Sequence, residues 1–224
     1  MKFKIQPDVI AIHVPKTAGS TFHAVLKEAY GFRLKHIQTF EDMHIWNNGL
    51  PYKCNKPLVQ AVSGHITVHP NWLEYYPQAK LITWVREPVE RVISAYYHWQ
   101  KAGENQSERQ KAFLSKQPSL LEFVENKEYQ ATVNAYETYL GRIEINNYGF
   151  VGRTEYFAED LKKLESYLGK RFSPKTGNKN VNSKKPEIPF AEKEEIKLLL
   201  KSEYDLYHEL LKEAGTNKPI ISTQ

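Results

Sequence analysis

Short apolar runs and amphipathic stripes alternate along the chain. Residues 9–14, Val-Ile-Ala-Ile-His-Val, form an apolar run of strand length. After a polar turn containing Gly19, residues Phe22, Val25, Leu26 and Ala29 recur at i, i+3, i+4 and i+7, the stripe of an amphipathic helix. Gly31 stands where a C-terminal cap belongs. The pattern predicts strand, tight loop, helix. Residues 58–62 predict a second strand running into Ser63-Gly64-His65, and residues 80–85 a third, ended by Arg86. Pro88 opens the next helix, where its missing N–H is no loss. Val89, Val92, Ile93 and Tyr96 make that helix's buried stripe, with Glu87, Glu90, Arg91, Ser94 and His98 on the opposite side.

The rest is less regular. Residues 32–57 show no period and predict a long polar loop or short helical pieces. Residues 118–140 predict helix, 148–151 a fourth strand, 158–168 a helix, and 191–214 one long helix closed by Gly215. Residues 173–189, rich in Lys, Asn and Pro, predict a basic loop. Strands alternating with helices predict an α/β fold: a P-loop-like, mostly parallel sheet with helices on both faces. With 224 residues, one domain spanning 1–224 is expected.

Composition narrows the class. A 41% hydrophobic and 25% charged chain is globular. The single cysteine, Cys54, rules out an intrachain disulfide. No Cys/His cluster has zinc spacing, so no metal is expected. The N-terminal apolar stretch is too short for a signal peptide, and no window approaches the ~20 apolar residues of a membrane span. A cytoplasmic protein is expected. The net charge of +5 suits an anionic ligand without naming one, and no nucleic-acid motif accompanies it.

Candidate chemistry falls at the predicted strand ends. The loop Pro15-Lys16-Thr17-Ala18-Gly19-Ser20-Thr21 precedes a helix, whose N-terminus offers free N–H groups and partial positive charge to an anion. Gly19 admits close backbone approach, Lys16 adds a full charge, and Thr17, Ser20 and Thr21 add hydroxyls. Lys16 precedes the glycine, so the triphosphate loop GxxxxGK[ST] is absent. The plain alternative is an N-cap cluster with a solvated lysine. Arg86 at a strand end can fork onto a phosphate, with Ser94 two turns along adding a hydroxyl. Alternatively, Arg86 pairs with Glu87 or Glu90. His65, beside Gly64 at a strand end, is placed to accept a hydroxyl proton, although a lone histidine is more often structural. Of the other seven histidines, His13 reads as a core residue, and His69 and His98 are less well placed. Ser183, Lys184 and Lys185 in the basic loop can close over an anion or be merely solvated.

Taken together, HVPKTAGSTF and LITWVREPVERVISAYYH resemble the sulfotransferases that use 3′-phosphoadenylyl-sulfate (PAPS). The closer likeness is to the carbohydrate branch with the heparan sulfate and uronyl 2-O-sulfotransferases and their bacterial relatives. The resemblance implies that Lys16, Thr17, Ala18, Gly19, Ser20 and Thr21 bind the 5′-phosphosulfate, and that Arg86 and Ser94 bind the 3′-phosphate. It implies that His65 is the catalytic base, that Lys16 acts on the leaving phosphate, and that Ser183, Lys184 and Lys185 form a last donor-binding loop. The branch often has His-Gly-His where this chain has Ser63-Gly64-His65. Residues 150–155 resemble its late V-G-x-T-E segment. The partners implied are PAPS as donor, 3′-phosphoadenosine 5′-phosphate (PAP) as product and a hydroxyl-bearing acceptor. Two other readings remain from the residues alone: a P-loop small-molecule kinase, and a non-catalytic polyanion-binding protein. The clusters Tyr75-Tyr76 and Tyr96-Tyr97-His98-Trp99 suit either sugar stacking or core packing.

Overall fold

The computed structural model describes residues 7–50, 58–101, 107–172 and 186–215. Five strands, β1 (Val9–Ile12), β2 (Leu34–Ile37), β3 (Ala61–Gly64), β4 (Lys80–Val85) and β5 (Tyr148–Arg153), form one sheet in the order β2-β3-β1-β4-β5. Every pairing is parallel, with Ile12 opposite both Gly64 and Thr83. All strands therefore end at one edge. Chain connections leave β1 toward β2 and leave β4 toward β5, so the sheet's switch point lies between β1 and β4, where parallel sheets take ligands.

Both sheet faces are covered, which is why β1 and most of β4 read as unbroken apolar runs. Alternate residues feed two cores. Val9, Ala11, Ile82, Trp84 and Phe150 pack against Phe22, Val25 and Leu26 of α1 (Gly19–Tyr30) and Leu161 and Leu164 of α9 (Phe157–Leu168). Ile10, Ile12, Leu81 and Val85 pack on the other face. They meet Trp46 of α2 (Phe40–Asn47), Trp72 of α3 (Asn71–Tyr75), Tyr136 and Leu140 of α8 (Ala135–Leu140), and Leu210 of α11 (Lys201–Gly215). A third cluster joins α4 (Pro88–Gln100), α5 (Glu108–Lys116), α6 (Leu120–Glu125), α7 (Gln130–Val133) and α10 (Phe190–Leu199).

The α/β reading is borne out, and four local expectations change. The stretch 32–57 contains α2, one of the short helical pieces expected there, and also the unexpected β2, which is only four residues long and mostly half-buried, too short to show a period. The second strand is shifted to 61–64. The helical stretch 118–140 is broken at Asn126 and Asn134. Asn126 is extended and its side chain caps Glu128 N–H at 2.9 Å, a local bond that competes with helix. The C-terminal helix is two helices. Ile196 and Leu200 are buried in the third cluster while Leu210 is buried under the sheet, so the chain turns at Leu200 to serve two cores.

The breaks in 118–140 have a use. Arg91, fully buried on α4, donates to the carbonyls of Thr132 (2.9 Å) and Val133, freed where α7 ends. It pairs with the equally buried Glu203 at 3.6 Å. Glu203 in turn accepts the N–H groups of Tyr136 and Glu137, both at 2.9 Å, at the start of α8. Removing the guanidinium strands a buried carboxylate. Arg91→Met is expected to cost about 3–5 kcal/mol of unfolding free energy, read from a denaturant titration. A loss within experimental scatter would show that the pair carries no net stability.

Candidate active site

The loop after β1 has an unusual backbone. Lys16 (φ 71°) and Ala18 (φ 61°) are both left-handed although neither is glycine, and Thr17 between them is not. Such alternation of hand turns successive N–H groups toward one concave side, the nest that holds phosphates. Each left-handed residue costs about 1 kcal/mol, strain that clusters at functional loops. The buried Thr17 hydroxyl donates to the Val14 carbonyl at 2.8 Å, so its donor shapes the loop. Thr21 is buried and Ser20 exposed at the helix start. No side chain caps α1, and its first turn holds no acidic residue. The N-terminal positive end of α1 thus meets no capping or acidic side chain from its own first turn.

Gly19 is needed for a reason the sequence did not show. A Cβ there would lie 1.5 Å from His13 Nε2, so the glycine makes room for an imidazole ring. His13, just past β1, stacks on His65, just past β3, with ring centroids 4.0 Å apart and planes at 25°. Its carbonyl holds His65 Nδ1 at 2.9 Å. A carbonyl only accepts, so Nδ1 carries the proton and Nε2 keeps the free lone pair. Tyr139 of α8 stands edge-on to His65, centroids 6.4 Å apart. Gly64 lets β2 pass close by, since a Cβ there would lie 2.6 Å from the Ile37 carbonyl oxygen.

A second histidine pair flanks the first. His23 and His36 rings lie 3.8 Å apart, and His36 Nδ1 donates to the Ser63 carbonyl at 2.9 Å. Two residues before His65, Ser63 is buried, and His65 stacks on His13, from the neighbouring strand. Burial, then the charges of the other histidines and of Lys16, hold His13 down to about 2. Burial chiefly holds His23 down to about 4. His65 is also lowered from 6.5, by burial, although the His13 carbonyl partly offsets this. At neutral pH His65 therefore has a neutral ring against a neutral ring.

The edge after β4 supplies the second group. Arg86 is pinned through its backbone: its N–H donates to Tyr136 Oη at 2.8 Å, and the Tyr136 hydroxyl donates to the Arg86 carbonyl. The late segment clamps the same turn. Thr154 Oγ1 donates to the Val85 carbonyl at 2.9 Å, and Glu155 accepts Glu87 N–H at 3.0 Å. Arg153 is itself locked by a two-pronged pair with Asp160. Burial opposes charge on Asp160, but bonds from Arg153 and Lys163 win and bring its carboxyl to about 2. Arg86 Nη2 lies 3.8 Å from Glu90, so the alternative pairing is present but loose. Ser94, nine-tenths buried, repeats the Arg86–Glu90 spacing along α4, and His98 follows it. Burial, then the charge of Lys16, lowers His98, which brings this side of α4 to the loop after β1. Arg91 and Ser94 are thus buried, although the helical stripe assigned them outward.

Lys16, His65 and Arg86 follow the ends of neighbouring strands at one sheet edge, and Ser94 lies two turns along the helix after Arg86. The segment with Ser183, Lys184 and Lys185 lies outside the described residues. His69 is occupied elsewhere, its Nδ1 accepting Asn71 N–H at 3.2 Å. Tyr76 and Tyr96 are core residues, and Tyr75, Tyr97 and Trp99 pack partly buried against the same clusters. Among the described residues, no group of three or more His, Cys, Asp or Glu is arranged to hold a metal, and no helix is long and apolar enough to cross a membrane.

The sulfotransferase family model matches residues 2–203. The chain belongs to the sulfotransferase family. Among solved structures, a sulfotransferase from Alicyclobacillus acidocaldarius shares the fold, with a TM-score of 0.52 at 16% identity, covering 94% of this chain and 96% of that one. The mouse sulfotransferase SULT7A1, complexed with PAP, aligns with a TM-score of 0.49 at 14% identity, over 95% of this chain and 64% of that one. No curated protein matches this family member by sequence.

Proposed function

We propose that the protein transfers the sulfuryl group of PAPS to an acceptor hydroxyl, on a carbohydrate or a small molecule. The observation that carries this reading is the placement of His65. Its protonated Nδ1 is fixed on the His13 carbonyl, and it follows β3 beside the uncapped loop at the end of β1, with the pinned Arg86 on the other side of that loop at the end of β4.

PAPS supplies the sulfuryl group and departs as PAP. His65 Nε2 takes the acceptor hydroxyl proton as the new sulfur–oxygen bond forms. The bond from sulfur to the 5′-phosphate oxygen breaks, and its electron pair stays on that phosphate. Lys16 and the N–H groups of the loop after β1 hold the charge that develops there. Arg86 and Ser94 hold the 3′-phosphate, the group that separates PAPS from ATP. Positioning and charge stabilisation supply most of the rate, as in phosphoryl transfer.

Thermal unfolding with PAP, AMP, ADP and ATP tests the donor. PAP at a hundred times its Kd is expected to add about 2.7 kcal/mol, raising the midpoint by roughly 5–10 °C. In Arg86→Ala the advantage of PAP over AMP should vanish while AMP still binds. Equal stabilisation by ATP, with magnesium-dependent ATP turnover, would favour the kinase. Binding of sulfated polymers with no response to PAP would favour the polyanion-binding protein.

A further inference from the structure

Among the described residues, Glu90 lies beside two cations, Lys193 and Arg86. Its Oε1 lies 3.0 Å from Lys193 Nζ of α10, and its Oε2 lies 3.8 Å from Arg86 Nη2. The first is a hydrogen-bonded ion pair; the second is too long for one. Lys193 is 103 residues away in sequence and reaches Glu90 only because α10 packs against α4 in the third cluster. Arg86, at i−4 from Glu90, is the cation best placed to receive that carboxylate if Lys193 is removed.

We propose that Lys193 is a positioning residue for donor recognition: it draws the Glu90 carboxylate away from Arg86 and so keeps the guanidinium fork available for the 3′-phosphate. The inference rests on the assignment of Arg86 to that phosphate. Two physical effects act together. With Lys193 in place, the three side chains sum to one positive charge, which favours a phosphate. Without it, the sum is zero, and the carboxylate closes onto the fork that the phosphate needs. Lys193 acts through Glu90, so its loss matters only while Glu90 is charged.

The test is calorimetric titration of the full chain with PAP and with AMP, which lacks the 3′-phosphate. Lys193→Met is expected to weaken PAP by about fivefold, the size of a partly exposed ion pair, and to leave AMP within about twofold. Adding Glu90→Gln to Lys193→Met is expected to restore PAP binding, because it removes the competing carboxylate and returns the local charge to one positive. Raising the salt should shrink the Lys193→Met defect. Unchanged PAP affinity in Lys193→Met would overturn the proposal. So would a PAP loss that Glu90→Gln does not restore, since Lys193 would then touch the ligand itself or serve only packing. Arg86→Ala separates the two levels. If it weakens PAP and AMP equally, the 3′-phosphate assignment fails and the role of Lys193 fails with it. If it weakens PAP alone while Lys193→Met does nothing, only the role of Lys193 is lost.

Discussion

Replacing His65 with alanine is expected to lower sulfuryl transfer by about 10²–10⁴-fold, the usual contribution of a positioned general base. PAP affinity should stay close to that of the unaltered protein. The two effects separate because the His65 ring is held by the His13 carbonyl and by stacking on His13, and the nest residues do not depend on it. The pH profile adds a second readout. The working form of His65 is neutral, and its pKa is lowered from 6.5, first by burial. The rate should therefore be at its plateau at neutral pH and fall on acidification, with the midpoint below pH 6.5. His13 does not interfere, since it takes up a proton only near pH 2. Transfer is followed as PAP released from PAPS with sugar and phenol hydroxyl acceptors. Near-normal turnover in His65→Ala, or an acid limb that persists unchanged in it, would remove His65 from the role of base.

Lys16→Ala is expected to lower kcat by about 10²–10³-fold, the scale for losing one charge-stabilising donor. Folding should shift by less than about 0.5 kcal/mol, because Lys16 is a half-buried loop residue outside all three cores. Alanine at this left-handed position retains the strain of lysine, so the loop geometry is a fair control. The diagnostic is the split between kcat and binding. Charge on the 5′-phosphate oxygen grows as the bond to sulfur breaks, so kcat should fall further than PAP affinity does. Equal losses in both would make Lys16 a binding residue only, and unchanged turnover would exclude the loop from catalysis.

Local patterns carried well wherever one element faces one environment. The stripe of α1 and the Pro88 start of α4 each face a single core, and the apolar run of β1 is buried on both sheet faces, so these patterns were legible. Legibility failed where one segment serves two environments. The C-terminal stretch turns at Leu200 because its two halves are buried in different clusters. The stretch 118–140 breaks where its freed carbonyls meet Arg91, a residue the helical stripe had placed on the outward face. β2 was invisible because four residues at the sheet's margin show no alternation.

The sequence by itself determined the contiguous parts of the candidate site: the loop from Lys16 to Thr21, Arg86 with Ser94 at helical spacing, and His65 after its glycine. Each depends on neighbours within two turns, where chain connectivity fixes geometry. Tertiary structure alone decided what those parts lean on. His13 becomes the ring beneath His65 because β1 and β3 pair in register, 52 residues apart. Tyr136 pins Arg86 across 50 residues, and Lys193 reaches Glu90 across 103. Such contacts are set by which helix covers which sheet face, and that is decided by the packing of whole cores rather than by any local period.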